Sequence, residues 1–208
     1  MMPDGPLRLG RRHLPLLAFP LVIPGRAGAV PVETRFRILR EGSQIGTHRV
    51  AFAEAEGGLT ARTDVDVVVR LVGITVFRLT HRFAETWSQG RLRLVTSRRD
   101  RNGTITEMTA RAAEGAILVT GTEGPQRLPA GAAPLTWWDQ ARLVGPLFDN
   151  VTGKPLRLAF AREALPGGGT RWATTGEEES EARYATDGTW TGWRTKAEDG
   201  SIVTYERA

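Results

Sequence analysis

The sequence predicts an all-β protein: a single antiparallel curved sheet forming a barrel or half-barrel, with one short helix. Three observations carry this expectation. Val65, Val67, Val69 and Leu71 alternate with Asp64, Asp66 and Arg70, and a period of two sorts residues onto the two faces of a strand, not around a helix. Turn signals such as Gly57-Gly58, Gln89-Gly90 and Asn102-Gly103 recur between the alternating runs. Several runs exceed the ~5–6 residues of an ordinary strand, and long twisted antiparallel strands curl toward a barrel, which manages their edges.

The first thirty residues follow a different logic. Arg8, Arg11 and Arg12 precede an apolar stretch from Leu14 to Ile23, and Ala27-Gly28-Ala29 follows. Charged segment, short apolar segment and small-residue cleavage site are the order of an export signal. The apolar stretch is too short for a helix that crosses a bilayer, which needs about 20 residues. We therefore expect residues 1–29 to be a cleaved leader, residues 30–208 to be one β-barrel-like domain without a transmembrane anchor, and the location to be periplasmic or secreted. Arg11-Arg12 fits either a twin-arginine signal or a general secretion signal.

The leader holds four arginines against Asp4, so its removal lowers the net charge from +5 to +2. A mildly basic remainder supports no nucleic-acid partner. Cysteine is absent, which excludes disulfides, thiol catalysis and a lipidated cysteine, and leaves stability to the core.

Along the mature chain, Phe36 and Ile38 begin a strand, Glu41-Gly42-Ser43 turns it, and Ile45 to Phe52 returns. Gly73 interrupts a second long pattern. Beyond it Phe77, Leu79, His81, Phe83, Glu85 and Trp87 share one face and Arg78, Thr80, Arg82 and Thr86 the other. Further strands start at Leu92, Ile105 and Ile117. Pro125 to Pro134 breaks the rhythm. Thr136, followed three residues on by Asp139, resembles a helix-starting capping arrangement, so a short helix is expected over Leu135–Leu143. Leu156–Phe160, Thr170–Thr174, Glu181–Ala185, Thr189–Arg194 and Ile202–Tyr205 read as short strands.

Several fragments resemble a family of exported bacterial proteins catalogued only as a domain of unknown function. They are Gly42-Ser43-Gln44-Ile45-Gly46 with His48, His81 through Glu85 to Trp87 with Gly90-Arg91-Leu92, Trp137-Trp138-Asp139, Asn150-Val151-Thr152-Gly153, and the terminal Gly192, Asp199-Gly200-Ser201, Tyr205 pattern. The resemblance implies a β-rich envelope domain, broadly similar to half-barrel carriers of lipids or lipoproteins. It transfers no catalytic residue and no cofactor.

The stripe Phe77, Leu79, His81, Phe83, Glu85, Trp87 has two readings. It is either an inner face of the core or the wall of a ligand cavity, mostly apolar with a few orienting polar groups. Trp137 and Trp138 join it as candidate ligand-binding residues. On a helix their directions differ by about 100°, which would let one ring plug the barrel mouth and leave the other at the surface. Trp190 and Trp193 are expected on opposite strand faces. His48, His81 and Glu85 would be a metal set only if close, and alternate strand residues lie about 6.6 Å apart. No metal and no catalytic residue is assigned. Gly-x-Ser-x-Gly does not occur, so no serine nucleophile is marked.

These residues point to a non-enzymatic binder of an apolar or amphipathic ligand, such as a lipid, or of an envelope protein partner, acting through a mouth near Trp137. Two alternatives stand beside it. An envelope enzyme would use His81 and Glu85 as acid/base groups and requires both in one open pocket. A structural subunit of an envelope complex would expose a large apolar patch.

Overall fold

The structure is a computed structural model and describes residues 33–55 and 57–208. The expected leader lies outside the described residues. Thirteen strands form one sheet in the order β12-β13-β14-β15-β16-β1-β2-β3-β4-β5-β6-β7-β8. Every pairing within it is antiparallel. The edge strands, β8 (Gln126–Pro129) and β12 (Leu158–Ala164), do not pair with each other, so the barrel stays open. Among the described residues no helix is long and apolar enough to cross a membrane.

The central strands are long: β2 spans Ser43–Ala55, β3 Gly58–Leu71, β4 Ile74–Ser88 and β5 Arg91–Arg101. On β4 the buried residues His81, Phe83, Glu85 and Trp87 alternate with more exposed ones, as period two requires. Five two-residue hairpin turns join consecutive strands: Glu41-Gly42, Val72-Gly73, Gln89-Gly90, Asn102-Gly103 and Glu114-Gly115. Both residues of each have positive φ, the geometry that matches the twist of the flanking strands.

After β8 the chain must reach β12 at the far edge. Residues 130–157 make that crossing over the concave face. They carry a small three-stranded sheet of β9 (Ala133–Pro134), β10 (Leu147–Phe148) and β11 (Pro155–Leu156). The expected helix contracts to one 3₁₀ turn, Gln140–Leu143. Asp139, not Thr136, caps it by accepting the Ala141 N–H at 3.0 Å. Thr136 is buried.

The crossing segment is anchored to both halves of the sheet. Tyr184 of β14 (Ser180–Tyr184) donates its hydroxyl to the Trp137 carbonyl at 2.8 Å. Gln140 Oε1 accepts from Trp172 Nε1 at 3.0 Å. Leu135, Trp137, Leu143, Leu147 and Phe148 pack into a core with Phe36, Val50, Trp87, Val95, Met108 and Ile117. Ile38, Val65 and Val67 form a smaller cluster with half-buried Ile45, Val69, Phe77, Leu79 and Val203. The crossing segment does not cover that second cluster, and its open side is the apolar groove described below.

Candidate functional site

The six residues of the β4 stripe face inward together, but they divide among three surroundings. Trp87 and Glu85 are in packed core. His81 and Phe83 line a cavity. Phe77 lies in an apolar groove, and Leu79 borders both spaces.

Glu85 is fully buried. Its carboxyl accepts Trp87 Nε1–H at 2.9 Å and Trp138 Nε1–H at 3.0 Å. The Arg142 guanidinium lies 3.6 Å from the centre of the Trp87 ring and is paired with Asp139 at 3.0 Å. Burial pushes the Glu85 carboxyl up to about 7, against the opposing pull of the two indole N–H groups and Arg142. His81 sits four residues away, about 13 Å along the strand. His81 lines the cavity and Glu85 does not. The acid/base pair suggested by the sequence is not assembled in one pocket.

Trp138 departs from the sequence expectation. Residues 137 and 138 precede the 3₁₀ turn, so helical divergence does not apply. Both rings turn inward: Trp137 is buried, and half-buried Trp138 meets Phe52 edge-on at 5.3 Å. Trp190 and Trp193 also differ from expectation, since both line the cavity. The β14–β15 register shifts so that Arg183 faces Gly192 while Tyr184 faces Trp190. The extra residue, Thr191, is a β-bulge that returns the second tryptophan to the concave side.

The cavity measures about 260 Å³ and lies between the sheet and the crossing segment. Its walls include His48, Thr63, Val65, Leu79, His81, Phe83, Arg99, Leu135, Thr136, Trp137, Trp138, Trp193 and Tyr205. His48 and His81 sit on one face with Val65 between them in register. His81 Nε2 and Ser97 Oγ are 2.9 Å apart. Burial lowers His81 to about 4, with the Arg99 guanidinium adding to it. Burial lowers His48 to about 3, with His81 adding to it. Both imidazoles are therefore neutral at pH 7.

Four buried side-chain atoms on this wall have no hydrogen-bond partner among the described residues: His48 Nδ1, Thr63 Oγ1, Arg99 Nε and Trp193 Nε1. Buried polar atoms are nearly always paired, so their convergence on one space marks it as polar by construction. Arg99 also enters no ion pair among the described residues. Sequence reasoning missed Arg99, Thr63, Thr136 and the placement of Trp193. The available signal was phase: Arg99 lies in step with inward-facing Val95 and Ser97, and a charged residue on an inward face is informative.

The groove, about 440 Å³, opens from the same wall. Ile38, Ile45, Val65, Val67, Val69, Phe77, Leu79 and Val203 line it, with Arg40 and Arg101 at its rim. Arg40 pairs with Asp199 and Arg101 with Glu198. Val65, Leu79, Trp193 and Tyr205 border both groove and cavity, so the polar and apolar spaces adjoin. Among the described residues no group of three or more His, Asp or Glu side chains is placed to hold a metal ion.

The fold is similar to that of a β-barrel-like protein of the domain of unknown function DUF1849 from Brucella abortus, with a TM-score of 0.58 at 10% identity, over 86% of this chain and 96% of that one. A DUF1089 family protein from Pseudomonas aeruginosa aligns with a TM-score of 0.43 at 11% identity, over 69% of this chain and 86% of that one. No curated protein matches the chain. The profile of the domain of unknown function DUF6134 matches residues 36–208, and the chain belongs to that family.

Proposed function

We propose that the protein is an exported, periplasmic, non-enzymatic binder of a single-chain amphipathic ligand with an anionic head. The head would occupy the cavity and the tail the groove. The observation that carries this reading is the set of four unpaired polar atoms, Arg99 Nε among them, in a cavity that adjoins an apolar groove. A carboxylate accepts hydrogen bonds only, which suits the guanidinium, indole and hydroxyl donors there. With both histidines neutral, Arg99 is the wall's unpaired fixed positive charge. Two carboxyls also border the cavity: Asp149, whose Oδ1 accepts from Val151 N, Thr152 N and Thr152 Oγ1 within its own turn, and Glu178, whose pKa burial raises. The groove volume falls in the range of about 300–1,000 Å³ usual for small-molecule sites.

This reading moves the entrance from the Trp137 side to the Phe77 end of β4, because the crossing segment fills the former. Delipidated protein titrated with oleate, followed by tryptophan fluorescence, tests it. Saturable binding is expected, weakened about tenfold in Arg99→Met, the loss of one charged hydrogen bond. Oleyl alcohol should bind more weakly than oleate. Absence of oleate binding, or equal binding by wild type and Arg99→Met, would overturn the proposal.

A further inference from the structure

The β3–β4 hairpin runs beyond the sheet. The last β2 partner of β3 is at Val67, and the first β5 partner of β4 is at Leu79. Residues 68–77 therefore project as a two-stranded ribbon, paired only with themselves. Their end is apolar and in solvent: Leu71 is 66% exposed, Val72 94%, Ile74 70% and Val76 54%. Burial in a core does not explain these side chains, and contiguous exposed apolar residues mark interaction surfaces.

The turn itself strengthens the point. Four of the five two-residue turns place Glu41, Gln89, Asn102 or Glu114 before the glycine, and this one places Val72, at φ +49°. A β-branched residue at positive φ is a backbone outlier, and asparagine or aspartate is the residue such turns favour. The tip is thus built from the apolar residue least suited to its backbone, and such outliers concentrate at functional positions.

Charge identifies the occupant. Arg70 and Arg78 flank the apolar tip, are exposed, and enter no ion pair among the described residues. Residues 68–78 contain no acidic side chain. An apolar tip between unpaired cations is complementary to an anionic lipid surface, where apolar side chains enter the acyl boundary and basic groups meet headgroups. The ribbon is also held at a fixed angle: the Arg78 N–H donates to Asn102 Oδ1 at 2.8 Å, and the Asn102 N–H donates to the Arg78 carbonyl at 2.9 Å. Val69 and Phe77, at the root of the ribbon, are groove residues.

We infer that the β3–β4 hairpin tip docks the protein on anionic lipid bilayers, inserting Val72 and Ile74 and presenting the groove mouth to the membrane. The docking site stands on its own residues; its role in ligand transfer rests on the reading proposed above.

Co-sedimentation with vesicles of phosphatidylglycerol and phosphatidylethanolamine tests it, with phosphatidylcholine vesicles for comparison. Wild type should bind the anionic vesicles and lose binding as salt rises. Val72→Asn/Ile74→Thr should weaken binding about tenfold or more. Because asparagine suits the turn, Val72→Asn alone should melt no lower than wild type, which separates docking from folding. Arg70→Gln/Arg78→Gln should abolish the preference for anionic vesicles. Absence of vesicle binding, or binding unchanged in Val72→Asn/Ile74→Thr, would overturn the inference. So would a concentration-dependent dimer that this variant abolishes, which would make the tip a contact between copies. Oleate titration without vesicles separates the two proposals: the tip variant should keep wild-type oleate affinity, whereas Arg99→Met should keep vesicle binding.

Discussion

Trp138 Nε1 donates to Glu85 Oε1 at 3.0 Å. That one bond ties the segment crossing the concave face to the longest strand, three residues short of its end. It also leaves a carboxyl without access to water, held by two indoles beside a half-buried arginine. The docking of the crossing segment is therefore linked to the protonation of Glu85.

The sign of that linkage follows from the direction of the shift. The carboxyl titrates near 4.5 when unfolded and at about 7 when folded. Its contribution is present in full below the unfolded value and is lost as pH rises through about 7, by about 3 kcal/mol over the whole range. Glu85→Gln removes this loss. The stability of Glu85→Gln relative to wild type should therefore climb between pH 5 and 8 in denaturant titrations. A pH-independent difference would show that Glu85 does not titrate in this window.

The two histidines act in the opposite direction. Both are depressed in the folded protein, to about 3 for His48 and about 4 for His81. As pH falls below about 6.5 the unfolded chain takes up protons that the folded chain refuses, and stability drops until the folded values are reached. His48 sits among Phe36, Trp190 and Tyr205 with ring centres 5.2 to 6.2 Å away, so phenylalanine is a near-isosteric replacement. His48→Phe should flatten the acid limb by about 1.4 kcal/mol per pH unit, the value for one proton. Urea midpoints at pH 5 and 6 give the comparison.

Tyr184→Phe removes the hydroxyl that satisfies the Trp137 carbonyl. A buried acceptor left without its donor costs about 1–3 kcal/mol. The change should lower the urea midpoint and speed amide exchange in residues 135–143 more than in β3 and β4. Uniform acceleration would mean that the segment does not open separately.

Gly46→Ala should also destabilise, for a different reason. A Cβ at this position would run into the Asp66 carbonyl oxygen on β3. Backbone cannot yield as a side-chain tip can, and overpacking of this kind costs about 1–3 kcal/mol. Thermal unfolding of the variant checks it. Gly42→Ala, where a Cβ meets nothing within 4 Å, separates crowding from the strain of positive φ.

Much of the sheet was legible in the chain because its information is local. The inward set on β4 and the Asn102-Gly103 turn follow from adjacent residues alone. The stripe's division was not legible. His81 lines a cavity, Glu85 is sealed in core, and Phe77 faces a groove because residues 130–157 cover only part of the concave face. Arg99 was passed over because its partners are far away in sequence. In the sequence Gly73 reads only as an interruption of a strand pattern, because a valine ahead of the glycine breaks the usual turn rule.

Two-residue alternation determined the all-β class and the side of the sheet most residues take, since pleat geometry acts between neighbours. Tertiary structure decided where alternation slips, as at the bulge that brings Trp190 and Trp193 together. It also decided where the sheet stops closing and which inward residues meet the crossing segment. Those outcomes depend on pairings and packing between residues distant in sequence, which no local pattern encodes.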